Sequence, residues 1–186
     1  MDQGSYIETR VERALMKGFP YIAIDPRCIS ENPEARDLAG NEYCAQETQE
    51  TMIISRGCID KCSKCFVEVP YEIASKLFLD PVSGKIICDF LIIWEGSGEG
   101  LYIGRNVEAH VIEATGHNIY SIVSEGDHVR SRSKIAYITT GKGEVRTLRA
   151  GVDGIIVYIS QELTSKPEKL LFVVVGGDNV RRARIF

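Results

Sequence analysis

The second half of this sequence is divided into short apolar runs, rich in β-forming residues and separated by glycine-containing turns. Eight runs at nearly even spacing are predicted to be strands. They cover residues 85–94, 101–103, 107–114, 119–123, 135–139, 144–149, 155–159 and 170–175. Many short strands of this kind favour a small all-β barrel or sandwich over a parallel sheet with crossover helices.

The first half has a mixed pattern. Apolar residues recur at helical spacing over residues 7–15, and a second helix is predicted over residues 71–78. Short β-rich runs occur at residues 52–55 and 66–69. The sequence therefore predicts both helices and strands in this half.

Residues 25–50 are rich in polar residues, proline and glycine. They are predicted to form a long irregular stretch with one helical turn near residues 35–38. We expect an α+β N-terminal region over residues 1–95, followed by an all-β domain over residues 96–186. The long loop predicted over residues 25–50 needs something to order it.

The strongest hairpin signal lies at residues 134–149, where apolar and polar residues alternate on both sides of a Gly-Lys-Gly tip. The two glycines permit positive φ, so Lys142 between them should project into solvent. The motif Gly-Asp-x-Val occurs before the hairpin at residues 126–129 and after it at residues 177–180. Two copies suggest two quasi-equivalent halves.

The Gly-Asp-x-Val motif, the lysine hairpin and the Asp-Gly-Ile-Ile run at residues 153–156 occur in the order seen in biotin-carboxyl-carrier and lipoyl domains. The sequence resembles that family, which implies a barrel-sandwich hybrid fold with biotin or lipoate amide-linked to Lys142. It differs at Gly141 and Gly143, where biotinyl domains have methionines and lipoyl domains usually have Asp and Ala. As a whole, the chain is also similar to an archaeal family of unassigned function.

A second feature is the C-x3-C-x2-C group Cys58, Cys62 and Cys65. On a loop, three thiolates can converge on one ion, and Cys44 would complete a tetrahedral zinc site. The spacing is also similar to the iron-sulfur motif of radical S-adenosylmethionine enzymes, but Lys64 replaces the usual aromatic residue and too little chain follows. Disulfide pairing and free thiols remain open from the sequence.

Charge and hydropathy exclude some classes of function. The formal net charge of -4 provides no broad field for a phosphate backbone, so no nucleic-acid partner is expected. No apolar run approaches the ~20 residues of a spanning helix, so no membrane partner is expected either. The first ten residues lack the apolar core of a signal peptide, and we expect a cytoplasmic protein.

Catalytic signals are also absent from the sequence, which has no recognisable nucleophile motif and no paired carboxylates. Basic runs at residues 130–134 and 181–184 would suit an acidic protein partner or form a solvated surface. We therefore predict a non-catalytic binding or assembly module with a protein partner and a structural zinc site. The alternative is a carrier protein with biotin or lipoate on Lys142.

Overall fold

A computed structural model describes residues 18–49, 51–58, 61–162 and 166–186. The helix predicted over residues 7–15 lies outside these ranges. Strands predominate in the described part of the chain, and its helices are short. Among the described residues, no helix is long and apolar enough to cross a membrane.

The elements are numbered in chain order. The strands are β1 (Tyr21–Ile24), β2 (Glu42–Glu47), β3 (Met52–Arg56), β4 (Lys64–Val69), β5 (Leu79–Asp80), β6 (Lys85–Ile86), β7 (Phe90–Trp94), β8 (Glu99–Ile103), β9 (Ala109–Gly116), β10 (Asn118–Ser121), β11 (His128–Val129), β12 (Lys134–Thr139), β13 (Val145–Arg149), β14 (Gly154–Glu162), β15 (Glu168–Val175) and β16 (Val180–Ile185). The α-helices are α1 (Pro26–Ile29), α2 (Pro33–Asp37) and α3 (Tyr71–Phe78).

Seven strands form a closed barrel in the order β1-β4-β2-β3-β16-β8-β7. Neighbours in the barrel are antiparallel except β16 and β3, which run parallel with Ala183 opposite Met52. Strands β7 and β8 pair directly, with Ile92 opposite Leu101. The expected boundary between residues 95 and 96 therefore falls in the turn between two paired strands, and β16 returns to the same barrel.

Both faces of β7 are buried. Leu91 and Ile93 belong to one apolar cluster with residues of β2 and β3, whereas Phe90 and Ile92 belong to another that includes α3 and β14. A strand covered on both faces needs a continuous apolar run instead of alternation. This explains why the apolar run Phe90–Trp94 forms a strand of the barrel and not part of a helix.

Helix α3 connects the barrel to the β-rich region behind it. The Phe78 ring stacks on Phe90 of the barrel with centroids 4.1 Å apart, and its edge meets Tyr158 of β14 at 5.4 Å. The buried Tyr158 hydroxyl donates to the Tyr71 carbonyl at 2.7 Å. The two β regions therefore share one apolar cluster through this helix.

The second β region consists of a four-stranded sheet, β11-β14-β15-β9, and a three-stranded sheet, β10-β12-β13. Buried apolar residues of both sheets form a separate core, which includes Ile135, Ile156 and Phe172. The predicted hairpin is present, since β12 pairs with β13 and Tyr137 lies opposite Thr147. The two Gly-Asp-x-Val copies lead into strands of different sheets, β11 and β16.

The predicted helix at residues 71–78 is confirmed, as is the predominance of β structure in the second half. The helical turn predicted near residues 35–38 corresponds to α2, but the prediction that the rest of residues 25–50 is irregular is wrong. Both prolines there occupy the first turn of short helices, which Asp25 and Asn32 cap with their side chains. The stretch continues into β2, which pairs with β3 and β4 in the barrel.

Candidate metal centre and lysine hairpin

The four predicted cysteine ligands lie on β2, on β4 and in the connection before β4. Cys44 is in the middle of β2 and lies directly opposite Cys65 of β4. Cys58 and Cys62 belong to the connection that leaves β3 and returns to β4. Antiparallel pairing brings opposite side chains about 5 Å apart, so the strand register alone places Cys44 beside Cys65.

Three of these sulfur atoms lie close together, and the fourth, that of Cys44, is bonded to one of them. The Sγ atoms of Cys58, Cys62 and Cys65 all lie within 4.8 Å of one another, and these residues are half-buried. The structure pairs Cys44 with Cys62 and Cys58 with Cys65, with Cα atoms 5.6 and 5.7 Å apart. The structure thus joins Cys44 of β2 to the group formed by Cys58, Cys62 and Cys65.

Four clustered sulfur atoms permit two chemical states. In the oxidised state they are paired in two disulfides, and in the reduced state, as thiolates, they can surround one ion. A tetrahedral ion with zinc–sulfur bonds of about 2.3 Å holds its sulfur atoms roughly 3.8 Å apart, a separation within the span of this cluster. An all-sulfur ligand set suits zinc or an iron-sulfur cluster and does not suit magnesium or calcium.

The two remaining cysteines form a separate pair. Cys28 of α1 is bonded to Cys88, which precedes β7, with Cα atoms 6.4 Å apart and a sequence separation of 60. This bond attaches α1 to the barrel. The structure assigns these two residues to each other and not to the group of Cys44, Cys58, Cys62 and Cys65.

A group of charged residues beside the cysteines was missed by sequence reasoning. Asp89 is buried and accepts hydrogen bonds from the Arg105 amide at 2.7 Å and from Lys64 Nζ at 3.2 Å. Burial alone would raise the pKa of Asp89, but these two hydrogen bonds hold the pKa below its ordinary value. Asp25 is also buried, and the hydrogen bond from the Arg27 side chain lowers its pKa.

Lys64 connects this charged group to the cysteine cluster, because it is the residue before Cys65. Its ammonium group donates to Tyr102 at 2.6 Å as well as to Asp89. Burial would lower the pKa of Lys64, but the contacts with Tyr102 and Asp89 raise it, so the ammonium stays charged. The signal in the sequence was Asp89 itself, a carboxylate within an apolar run, which indicates a buried and paired charge.

Lys142 lies at the exposed tip between β12 and β13, as the hairpin signal predicted. The Gly143 amide donates to the Thr140 carbonyl at 2.9 Å, and Gly143 has a φ of 80°. A Cβ atom added at Gly141 or Gly143 would meet nothing within 4 Å. The tip is therefore open, and the amine of Lys142 is accessible to a large partner.

Fold and site together define a class of protein: a mostly-β protein with a closed seven-stranded barrel, four cysteines paired in two neighbouring disulfides on that barrel, and a separate lysine hairpin. The chain belongs to the family described as "Uncharacterized protein conserved in archaea (DUF2118)", whose profile matches residues 6–176. The expected whole-chain similarity to an archaeal family is thus confirmed.

A relative comes from Methanocaldococcus jannaschii. The chain is 26% identical over 100 residues to "Uncharacterized protein MJ0859" of that organism. The matched segment is 53% of this chain and 60% of the relative, so the similarity spans well under two thirds of the relative's length.

Proposed function

We propose that this protein is a non-catalytic binding or assembly module in which Cys44, Cys58, Cys62 and Cys65 hold a structural zinc ion. The observation that carries the proposal is the convergence of the Cys58, Cys62 and Cys65 sulfur atoms, beside which Cys44 lies opposite Cys65 and bonded to Cys62. Four protein ligands fill a tetrahedral shell and leave no position for water or substrate. Such an ion would fix the β3–β4 connection to the barrel and would not catalyse a reaction.

The surrounding charges fit a structural role. Asp25 and Asp89, the buried aspartates beside the cluster, both hold cations of this chain, Arg27, Lys64 and Arg105. A general acid or base needs access to a reacting group, whereas these carboxylates are occupied in ion pairs. A cytoplasmic location, which we also propose, would keep the cysteines reduced and favour metal binding over disulfides.

The zinc proposal is tested by metal analysis of full-length protein purified anaerobically under reducing conditions. We expect one zinc ion per chain and, after exchange with cobalt, the strong visible absorption of a tetrahedral cobalt thiolate. Cys62→Ser should abolish both signals. Cys28→Ser is the matched control, because Cys28 pairs outside the cluster, and it should keep both.

Two results would overturn the zinc proposal. One is a metal-free protein with a free thiol at each of the four positions. The other is a brown anaerobic preparation that contains iron, which would assign the cluster to iron and sulfur.

We also propose that the second β region is a barrel-sandwich hybrid of the biotinyl and lipoyl type. Support comes from its two sheets with a common core and from the lysine hairpin of the three-stranded sheet. This supports a second candidate function, a carrier with biotin or lipoate on Lys142. The specific observation in its favour is the open, exposed position of that lysine.

The carrier function is tested by intact-mass spectrometry of the protein isolated from its native source. Attachment predicts a mass increase by one biotinyl or lipoyl group, which Lys142→Arg removes. An unmodified chain from that source would rule out a swinging-arm function and leave the binding module.

A further inference from the structure

The highest concentration of positive charge lies in residues 128–151, which include β11, β12 and β13. This segment, called here the basic hairpin, contains six basic residues and one acidic residue, Glu144, and so carries +5. Because the whole chain carries -4, the other residues together carry -9. The six basic side chains are all exposed: Arg130, Arg132, Lys134, Lys142, Arg146 and Arg149.

The outer strand of this hairpin is an edge. Within the described ranges, β13 pairs with β12 and with no strand on its other side. Three consecutive residues, Val145, Arg146 and Thr147, are exposed, and Val145 exposes 66% of its surface. An edge of this kind presents backbone N–H and C=O groups that another strand can bind.

Charge determines which strand fits this edge. A second copy of the chain paired here would bring arginines close to arginines, and like charges across a strand pair are destabilising. An acidic strand would instead place carboxylates beside Arg146 and Arg149. The same two arginines therefore oppose self-association and favour an acidic partner.

We propose that β13 binds an acidic, extended segment of a partner protein as an additional strand. Main-chain hydrogen bonds would provide part of the affinity, and the arginines and Lys142 would select for acidic side chains. This interaction rests on the proposed function as a binding module and specifies its surface. It does not depend on the metal, because the basic hairpin and the cysteines belong to different sheets.

A polypeptide fits this surface better than a nucleic acid does. Pairing with a strand edge requires backbone amides and carbonyls in an extended chain, which nucleic acids do not have. The charge of -9 on the other residues also opposes the approach of a long polyanion. A short acidic segment contacts the basic hairpin and avoids most of that repulsion.

The test measures binding of a labelled decapeptide of alternating Glu and Val to the full-length protein by fluorescence anisotropy. We expect binding that weakens with salt, together with slower hydrogen exchange of amides in β13. A Lys-Val decapeptide should not bind. An N-methylated version of the Glu-Val peptide keeps its charge but loses its backbone donors, and we expect it to lose most of the affinity.

Two charge-reversal variants make the test specific. Lys142→Glu combined with Arg146→Glu should weaken peptide binding about tenfold or more, since two attractive contacts become repulsive. Arg149 is left unchanged because its guanidinium donates to the Arg132 carbonyl at 2.5 Å. The matched control combines Arg36→Glu with Lys85→Glu, two exposed positions outside the hairpin, and should bind as the parent protein does.

Several results would overturn the proposal. These are equal binding of the two decapeptides, no protection of β13 amides, or equal weakening by the control variant. Tighter binding of a single-stranded oligonucleotide or of anionic lipid vesicles would assign the surface to another partner, and dimerisation through β13 would assign it to a second copy. A failure to bind zinc would refute the metal site and leave this test unaffected.

Discussion

Replacing Asp89 by Asn should destabilise the protein through the loss of one buried charge. The carboxylate is 7% exposed and contacts the Arg105 amide, Lys64 and the Arg105 guanidinium. Removing one partner of a buried ion pair costs about 3–5 kcal/mol. Asn has nearly the size of Asp and keeps one acceptor oxygen. The side chains of Lys64 and Arg105 are 49% and 43% exposed, so water can solvate the cations that lose their partner. We therefore expect the free energy of unfolding to fall by a smaller amount, about 2 kcal/mol.

The assay is urea unfolding of the parent protein and the variant at pH 7 and at acidic pH. The control is Asp37→Asn, which removes the charge of a side chain that is 74% exposed and 3.9 Å from Arg36, with an expected loss of about 0–0.5 kcal/mol. Both variants keep the cysteine cluster, so any pH effect on that cluster cancels in the comparison.

The pH dependence has a defined sign. The folded pKa of Asp89 lies below its ordinary value of 3.8, so its contribution to stability is complete above the unfolded pKa. As the pH falls below about 4 and passes through the folded pKa, Asp89 becomes protonated. The difference in the free energy of unfolding between the parent protein and the Asp89→Asn variant then shrinks. This reasoning would be refuted if Asp89→Asn lowered the free energy of unfolding by less than about 0.5 kcal/mol at neutral pH, or if the difference between the two proteins did not change with pH.

Three further perturbations follow from packing. Gly154→Ala would place a Cβ atom 2.5 Å from the Val175 carbonyl oxygen and should cost about 1–3 kcal/mol in urea unfolding, whereas Gly141→Ala, with nothing within 4 Å, should cost under about 0.5 kcal/mol. Tyr158→Phe removes the hydrogen bond to the Tyr71 carbonyl and should lower the melting temperature by the equivalent of about 1 kcal/mol, and an unchanged value would contradict the contact. A chain shortened to end before β16 should lose cooperative unfolding, and a sharp, parent-like transition would show that the barrel does not need that strand.

Elements with strong local signals could be predicted from the sequence. The hairpin of β12 and β13 is such a case, because alternation and a glycine tip specify it within sixteen residues or so. Helix α3 is another, because its apolar residues repeat at helical spacing. The Gly-Lys-Gly tip likewise indicated where Lys142 would lie.

Strands β2 and β16 could not be predicted because distant partners stabilise them. Strand β2 is polar at both ends and gains its buried centre by pairing with β3 and β4. Within β16, Ala183 is the only buried residue, and an exposed arginine lies on each side of it. Neither segment has enough apolar residues to be recognised as a strand without its neighbours.

The same distinction holds for the candidate site, in which local features could be predicted and contacts between distant residues could not. The spacing of Cys58, Cys62 and Cys65 is local, so it could be recognised, and Cys44 followed as the fourth member. The ion pairs of Asp89 depend on Lys64 and Arg105, which approach it only when the barrel closes. Pair contacts across a sheet carry little signal in a single sequence.

Strand β16 also determines the order in which the chain can fold during synthesis. Residue 183 pairs opposite residue 52, so the barrel cannot close until almost all of this sequence has left the ribosome. Until then β3 and β8 each have an unpaired edge, whereas the two sheets of the second β region are complete once residue 175 has emerged. Contacts so distant in sequence form slowly, so the edges of β3 and β8 stay open to incorrect pairing until the last strand is synthesised.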